Sequence, residues 1–254
     1  MEFKYASKVQ EIIYEKGEVK GVQVAGVAIH SSLVISNMDI WFTYNKLLPK
    51  LRTAKTTINQ ERSSSALIFY WGISKTFPEL DIHNIFFSAD YEGEFESIWT
   101  KKCISDDPTI YLNISSKYKT DDAPAGCENW FVMINVPANI GQDWDKMIAD
   151  AKICILAKLQ RMLGRPVEDL IVCETILDPR SIEMNSSSYQ GSLYGTSSNN
   201  QFAAFLRHPN FSSIIKGLYF VGGSVHPGGG IPLALLSAKI TTDLISESYI
   251  HSGT

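Results

Sequence analysis

The sequence is without the motifs that mark most nucleotide- and metal-dependent proteins. It contains no G-x-G-x-x-G and no G-x-x-x-x-G-K-[ST], so it carries neither the dinucleotide-binding βα turn nor a P-loop. G-x-S-x-G is also missing, which removes the nucleophile elbow of α/β hydrolases. The 4 cysteines, at 103, 127, 154 and 173, form no C-x-x-C, and the 5 histidines form no H-x-x-x-H. Clustered zinc ligands are therefore excluded, and no metal site is expected. Widely spaced cysteines read as reduced thiols of a cytoplasmic protein. Positive charge is also scarce: 23 Lys and Arg stand against 27 Asp and Glu, for a net −4. A nucleic-acid binder would normally show a basic face, and Lys101-Lys102 is the one basic doublet. No apolar run reaches the roughly 18–20 residues of a membrane-spanning helix. Met1-Glu2-Phe3-Lys4-Tyr5 does not begin a secretion signal.

What is present is an ordinary globular composition, 254 residues with 44% hydrophobic and 20% charged, enough for one large domain or two small ones. Residues 3–36 read as a β-meander with a turn at Lys16-Gly17-Glu18, a second strand from Val19 and a last strand from Val27 to Ile35. Asn37 or Asp39 can cap a helix from Ile40 to Leu51, with Trp41, Tyr44, Leu47, Leu48 and Leu51 on one face. Between 63 and 138 lie four aromatic-rich strands, 65–73, 84–88, 109–114 and 129–136, with a helix from Tyr91 to Lys101. Successive large apolar residues there fit a sheet covered on both faces, or one whose second face lines a cavity. Asp143-Trp144 opens a helix that Gly164 closes, with Ile148, Ala151, Ile155, Leu159 and Met162 on one face. A strand over 170–177 and a long polar loop over 185–200 follow. The order suggests one domain, 1–37 with 201–254, interrupted by a second over 38–200.

The stretch with chemical content lies near the end. The apolar run Gly217-Leu218-Tyr219-Phe220-Val221 reads as a buried strand, and Ile231-Pro232-Leu233 opens a helix with proline in its first turn. Between them stands Gly222-Gly223-Ser224-Val225-His226-Pro227-Gly228-Gly229-Gly230. Strand, glycine loop and helix start bring backbone N–H groups and a positive helix end up to an anionic ligand. Glycine suits positions where a Cβ would block close approach or where φ is positive.

Leu218 through Pro232 closely resembles the C-terminal flavin-binding signature of the bacterial-type phytoene desaturases. These are FAD-dependent carotenoid desaturases, with relatives that act as carotenoid isomerases and retinol saturases. Val9 through Ile35, ending in the Val34-Ile35-Ser36-Asn37 turn, resembles that family's second FAD-contacting segment. Thr175–Glu183 and Ser188–Gly195 resemble the segment before the signature. The likeness spans nearly the whole chain but only the C-terminal half of a family member, because the βαβ unit with G-x-G-x-x-G is missing.

The resemblance implies a mixed α/β fold, namely a glutathione-reductase-like FAD-binding domain without its N-terminal βαβ unit, interrupted by a substrate domain. Gly222 and Gly223 would pass the ribityl–phosphate part of FAD. Gly229, Gly230, Ile231 and Pro232 would lie at the helix N-terminus near the ring or pyrophosphate, and Val9 near the adenine. His226 and Pro227 would shape the turn. Ser224 stands where many related flavoenzymes carry an acid. The substrate would be an apolar polyene, with Phe69, Trp71, Phe86, Phe87, Trp130 and Phe131 lining its tunnel. The family's activity is removal of hydrogen across a C–C bond; no residue here is assigned a catalytic role. The expected partners are the missing N-terminal half, without which FAD would not be retained, and the membrane surface, touched peripherally. An isomerase or saturase of the same fold, and a binding module without flavin chemistry, are the alternatives.

Overall fold

The computed structural model describes residues 2–51, 59–197 and 207–252. In chain order the strands are β1 (Val9–Glu15), β2 (Glu18–Val24), β3 (Val27–His30), β4 (Val34–Ser36), β5 (Ser65–Ile73), β6 (His83–Phe86), β7 (Ile110–Asn113), β8 (Glu128–Val136), β9 (Ile171–Leu177) and β10 (Leu218–Phe220). The helices used below are α1 (Ile40–Phe42), α2 (Tyr91–Glu96), α3 (Trp144–Leu163), α4 (Pro179–Ser186) and α5 (Ile231–Ser252). Backbone contacts divide the chain into two units. The first comprises Met1–Ser63, Ser186–Tyr189 and Leu193–Thr254, the second Ser64–Asn185 and Gln190–Ser192.

In the first unit, β1, β2 and β3 form an antiparallel meander. Both turns, Lys16-Gly17 and Ala25-Gly26, place two successive residues at positive φ. That is the hairpin geometry whose twist matches the flanking strands. The strand expected over 27–35 is two strands: β3 stays with the meander, and β4 pairs in parallel with β10. Asp39 caps α1 by accepting the Trp41 N–H at 2.9 Å, and the chain continues as a π-helical turn over Thr43–Leu47. Ile40, Tyr44, Leu47 and Leu48 pack with Ile12, Val19, Leu218, Phe220 and Val225. The first unit runs to Ser63, where a boundary after residue 37 was expected, and the packing of residues 40–48 with its strands accounts for their place in it. The expected boundary at 200–201 lies outside the described residues.

The second unit is a five-stranded antiparallel sheet in the order β6-β7-β8-β5-β9. Strand alternation sends Leu67, Phe69, Trp71 and Ile73 of β5, with Trp130, Val132 and Ile134 of β8, to one face. There they meet Ala151, Ile155 and Leu159 of α3. Asp143 caps α3 by accepting the Lys146 N–H, and Gly164 ends it at φ +69°. Met162, expected on the buried face, is 55% exposed, because the apolar stripe runs through Leu156 instead. On the opposite sheet face Ala66 and Ile68 are buried, while Tyr70 and Ile85 are exposed, as is Phe87 just beyond β6.

One buried carboxylate anchors this sheet. Glu128 accepts from the Phe77 N–H at 2.9 Å and Trp130 Nε1 at 2.8 Å, and pairs with Lys117 Nζ at 2.7 Å. Removing one partner of such a cluster leaves the others desolvated, at a cost on the order of 3 kcal/mol. We therefore expect Glu128→Ala to destabilise the protein by about that amount, measured by chemical denaturation.

Candidate functional site

β10 hands the chain to the glycine loop through a hydrogen bond from the Val221 N–H to the Ser36 carbonyl at 3.0 Å. A Cβ on Gly222, at φ +110°, would stand 2.5 Å from Asn37 Oδ1. The signature loop and the Ser36-Asn37 turn, 185 residues apart in sequence by the difference of 222 and 37, are thus in direct contact. On Gly223 a Cβ would sit 3.2 Å from the Gly229 Cα, and on Gly229 it would meet the Tyr194 Cα at 2.7 Å. Close approach at these positions is therefore to the protein itself. Gly230, at φ +103°, faces open space at the first turn of α5, where its carbonyl accepts the Ala234 N–H. Exposed Ile231, with Pro232 beside it, begins that helix. The positive helix end and the clear approach at Gly230 fit an anionic or carbonyl-bearing group.

Ser224 has a structural task, accepting the Ile40 N–H at 3.0 Å. His226 is exposed and joined to Pro227 by a cis peptide bond. Its N–H donates to the His208 carbonyl, and its own carbonyl accepts from Asn210. Val9 stands at the start of the meander, packed against the core of the first unit.

Beside the loop lies a buried charge cluster that no local sequence pattern announced. Asp39, the cap of α1, pairs through Oδ1 with Arg62 Nη2 at 3.3 Å, with side-chain exposures of 3% and 1%. Burial raises the Asp39 carboxyl and lowers the Arg62 guanidinium from their ordinary values, each outweighing the partner's charge. The Arg62 guanidinium lies 5.0 Å from the centre of the Tyr189 ring, which stacks on Trp41 at 3.8 Å. Arg207 clamps the loop to the neighbouring segment. Its Nη1 donates to the Tyr194 and Gly223 carbonyls, and its Nη2 to that of Thr196. These arginines are isolated in sequence, and a burial-dependent role leaves no periodic trace there.

His208 completes the inner side. Its Nε2 is 3.0 Å from Tyr44 Oη, and its Nδ1 lies 2.8 Å from the Pro209 carbonyl. Burial lowers the imidazole from its ordinary value of 6.5 and pushes the Tyr44 phenol up to about 12.

In the second unit, Phe69, Trp71, Phe86 and Trp130, expected along a tunnel, belong to the core that packs with α3. Trp71 and Trp130 are only 2% and 1% exposed, because alternation points them at α3. Phe131 is on the opposite face, between Tyr70 at 5.5 Å and Tyr111 at 6.1 Å, and exposed Phe87 packs edge-on against Tyr91. A cavity of about 570 Å³ is bordered by Tyr70, Asn113, Phe131 and Thr175, and also by Trp71 and Trp130. Tyr70 of β5 and Tyr111 of β7 were not among the expected lining residues, because their place beside Phe131 follows only from the pairing of those strands with β8.

Two outcomes follow from this geometry. Gly229→Ala places a methyl group against the Tyr194 backbone and should cost about 1–3 kcal/mol, as overpacking does, in denaturant titration. His208 binds its proton less readily folded than unfolded. Its contribution to stability is therefore complete above pH 6.5 and is lost as pH falls below that toward the lowered folded value. The melting temperature should fall over that window, and less steeply in His208→Gln.

No family model matches the chain. Among curated proteins, a 1-hydroxycarotenoid 3,4-desaturase of Flavobacterium sp. (strain P99-3) is 55% identical over 248 residues, 98% of this chain and 51% of the relative. A phytoene desaturase of Fusarium fujikuroi is 32% identical, over 96% of this chain and 47% of its own length. A 4,4'-diapolycopene oxygenase of Methylomonas sp is also 32% identical, over 96% and 50%. Among solved structures, an oxidoreductase from Methanosarcina mazei superposes with a TM-score of 0.57 at 12% identity, covering 93% of this chain and 49% of that one, a likeness of fold. The chain spans about half the length of the curated relatives it matches. Over that span, this protein is a homologue of the carotenoid desaturases.

Proposed function

We propose that the chain is the C-terminal half of an FAD-dependent desaturase acting on a carotenoid-type polyene. The observation that carries this reading is the loop at 222–230, where a parallel strand pair feeds a glycine turn into the N-terminus of a 22-residue helix. The 55% identity to a 1-hydroxycarotenoid 3,4-desaturase supports the substrate class.

The residues of the first unit fit a flavin in three respects. Gly230 leaves space at the helix end, Arg207 fixes the loop by bonding the Gly223 carbonyl, and Arg62 has buried nitrogens without partners. When bound, FAD would accept a hydride, that is two electrons and one proton, while the second proton leaves to water or a base. Gly222, Gly223, Gly229, Gly230, Ile231 and Pro232 make up the loop and helix start that would hold it. His226 and Pro227 shape the turn, and Val9 serves the meander that carries the adenine side. This is a half-site, and the complementary half of the complete protein is needed to retain the cofactor.

The chemistry asks the second unit for an apolar, water-poor surface. The sheet face opposite α3 offers Tyr70, Phe131 and Tyr111 in edge-to-face contact, at about 25 cal/mol for each Å² of polyene buried. Among the described residues no helix is long and apolar enough to cross a membrane. We propose peripheral contact with the bilayer in which such a substrate dissolves.

The test uses the complete protein, loaded with FAD and given an acyclic 1-hydroxycarotenoid in vesicles. We expect loss of two hydrogens and a red-shifted absorption band from one added conjugated double bond. An isomer of unchanged mass, or no product from flavin-loaded protein, would contradict the desaturase reading.

A further inference from the structure

Among the described residues, five buried side-chain polar atoms have no hydrogen-bond partner, and three of them lie on one backbone bridge: Arg62 Nε, Arg62 Nη1 and Thr196 Oγ1. An unsatisfied buried donor costs roughly 1–3 kcal/mol, and more when it is charged. The bond from Arg62 to Asp39, at 3.3 Å, is long for a charge-assisted one and uses only Nη2. An ion pair in this setting contributes little to stability against the cost of desolvating it. The guanidinium is nevertheless held in place by the Asp39 carboxylate and the Tyr189 ring face. Arg207 adds a second buried cation nearby, and the like charges of Arg207 and Arg62 repel one another. Two guanidinium groups and one carboxylate leave a net positive site, against a loop whose own N–H groups and helix end are also positive.

We propose that Arg62 is a ligand-binding residue that donates from Nε and Nη1 to an oxygen on the pyrimidine edge of the flavin, with Asp39 as its positioning residue. This rests on the flavin reading above. Oxygens with the same acceptor chemistry occur on the pyrophosphate, but only the ring's pyrimidine side changes charge. Uptake of two electrons and one proton leaves one negative charge there. A buried cation bound at that edge therefore holds the reduced flavin more tightly than the oxidised one, which raises the reduction potential. Bound at the pyrophosphate, it would hold both forms alike.

The experiment compares the complete flavin-loaded protein with Arg62→Gln and Arg62→Lys, reading the two-electron reduction potential and the dissociation constant of the sulfite adduct, which also leaves negative charge on the ring. We expect Arg62→Gln to weaken sulfite binding at least tenfold and to lower the potential, by about 30 mV for each tenfold loss of differential binding. Arg62→Lys should recover part of both. Should Arg62→Gln fail to fold, Asp39→Asn with Arg62→Gln removes the orphaned carboxylate, and the same two shifts are expected. An unchanged potential with weaker flavin retention would place Arg62 at the pyrophosphate and overturn the proposal. Unchanged potential, sulfite affinity and retention would make Arg62 purely structural and also overturn it. A wild-type complete protein that takes up no flavin would instead sink the cofactor reading on which the proposal rests.

Discussion

A single buried carboxylate, Asp39, ties together the functional side of the first unit. Oδ1 caps α1 through the Trp41 N–H and pairs with Arg62, while Oδ2 accepts the Tyr189 N–H at 3.4 Å. Three segments far apart in sequence are thereby held at one point. Because burial raises the carboxyl against its cationic partner, the arrangement is not an economical way to stabilise a fold. It is intelligible as a fixed mount for a guanidinium group.

The glycine loop depends on the same mount. Ser224 bonds the Ile40 N–H one residue beyond Asp39, and Asn37, two residues before it, touches Gly222. From the other side Arg207 bonds the Gly223 carbonyl, and the Tyr194 backbone fills the space a side chain at 229 would take. A loop rich in glycine is expected to be mobile. Here its course is set on both sides by contacts that tolerate no Cβ, and its open position is confined to Gly230 at the end of α5. Fixing the loop before a ligand arrives reduces the ordering cost of binding.

Much of this was legible in the sequence, and the rest was hidden for identifiable reasons. Asp143 and Gly164 bounded α3 because capping chemistry is local. The strand–loop–helix signature was readable because its glycines and proline act within a few residues of themselves. Phe69, Trp71, Phe86 and Trp130 were expected along a tunnel, and their place in the core was hidden because apolar runs do not reveal which sheet face a helix covers. The β8 alternation, with Phe131 on the opposite face from Trp130, settles it once pairing is known. Arg62 and Arg207 were invisible because their burial and partners arise from segments brought together only by folding. The single strand expected over 27–35 splits because its end serves a different sheet.

The most direct test of the account is the position of the flavin relative to these groups in a structure of the complete, cofactor-loaded protein. The distance to measure runs from Arg62 Nε or Nη1 to the closest flavin oxygen. The account predicts hydrogen-bond contact, about 3 Å, with the ring lying against the Gly230 end of α5. A flavin bound away from the 222–230 loop, with Arg62 reaching only protein groups, would contradict it.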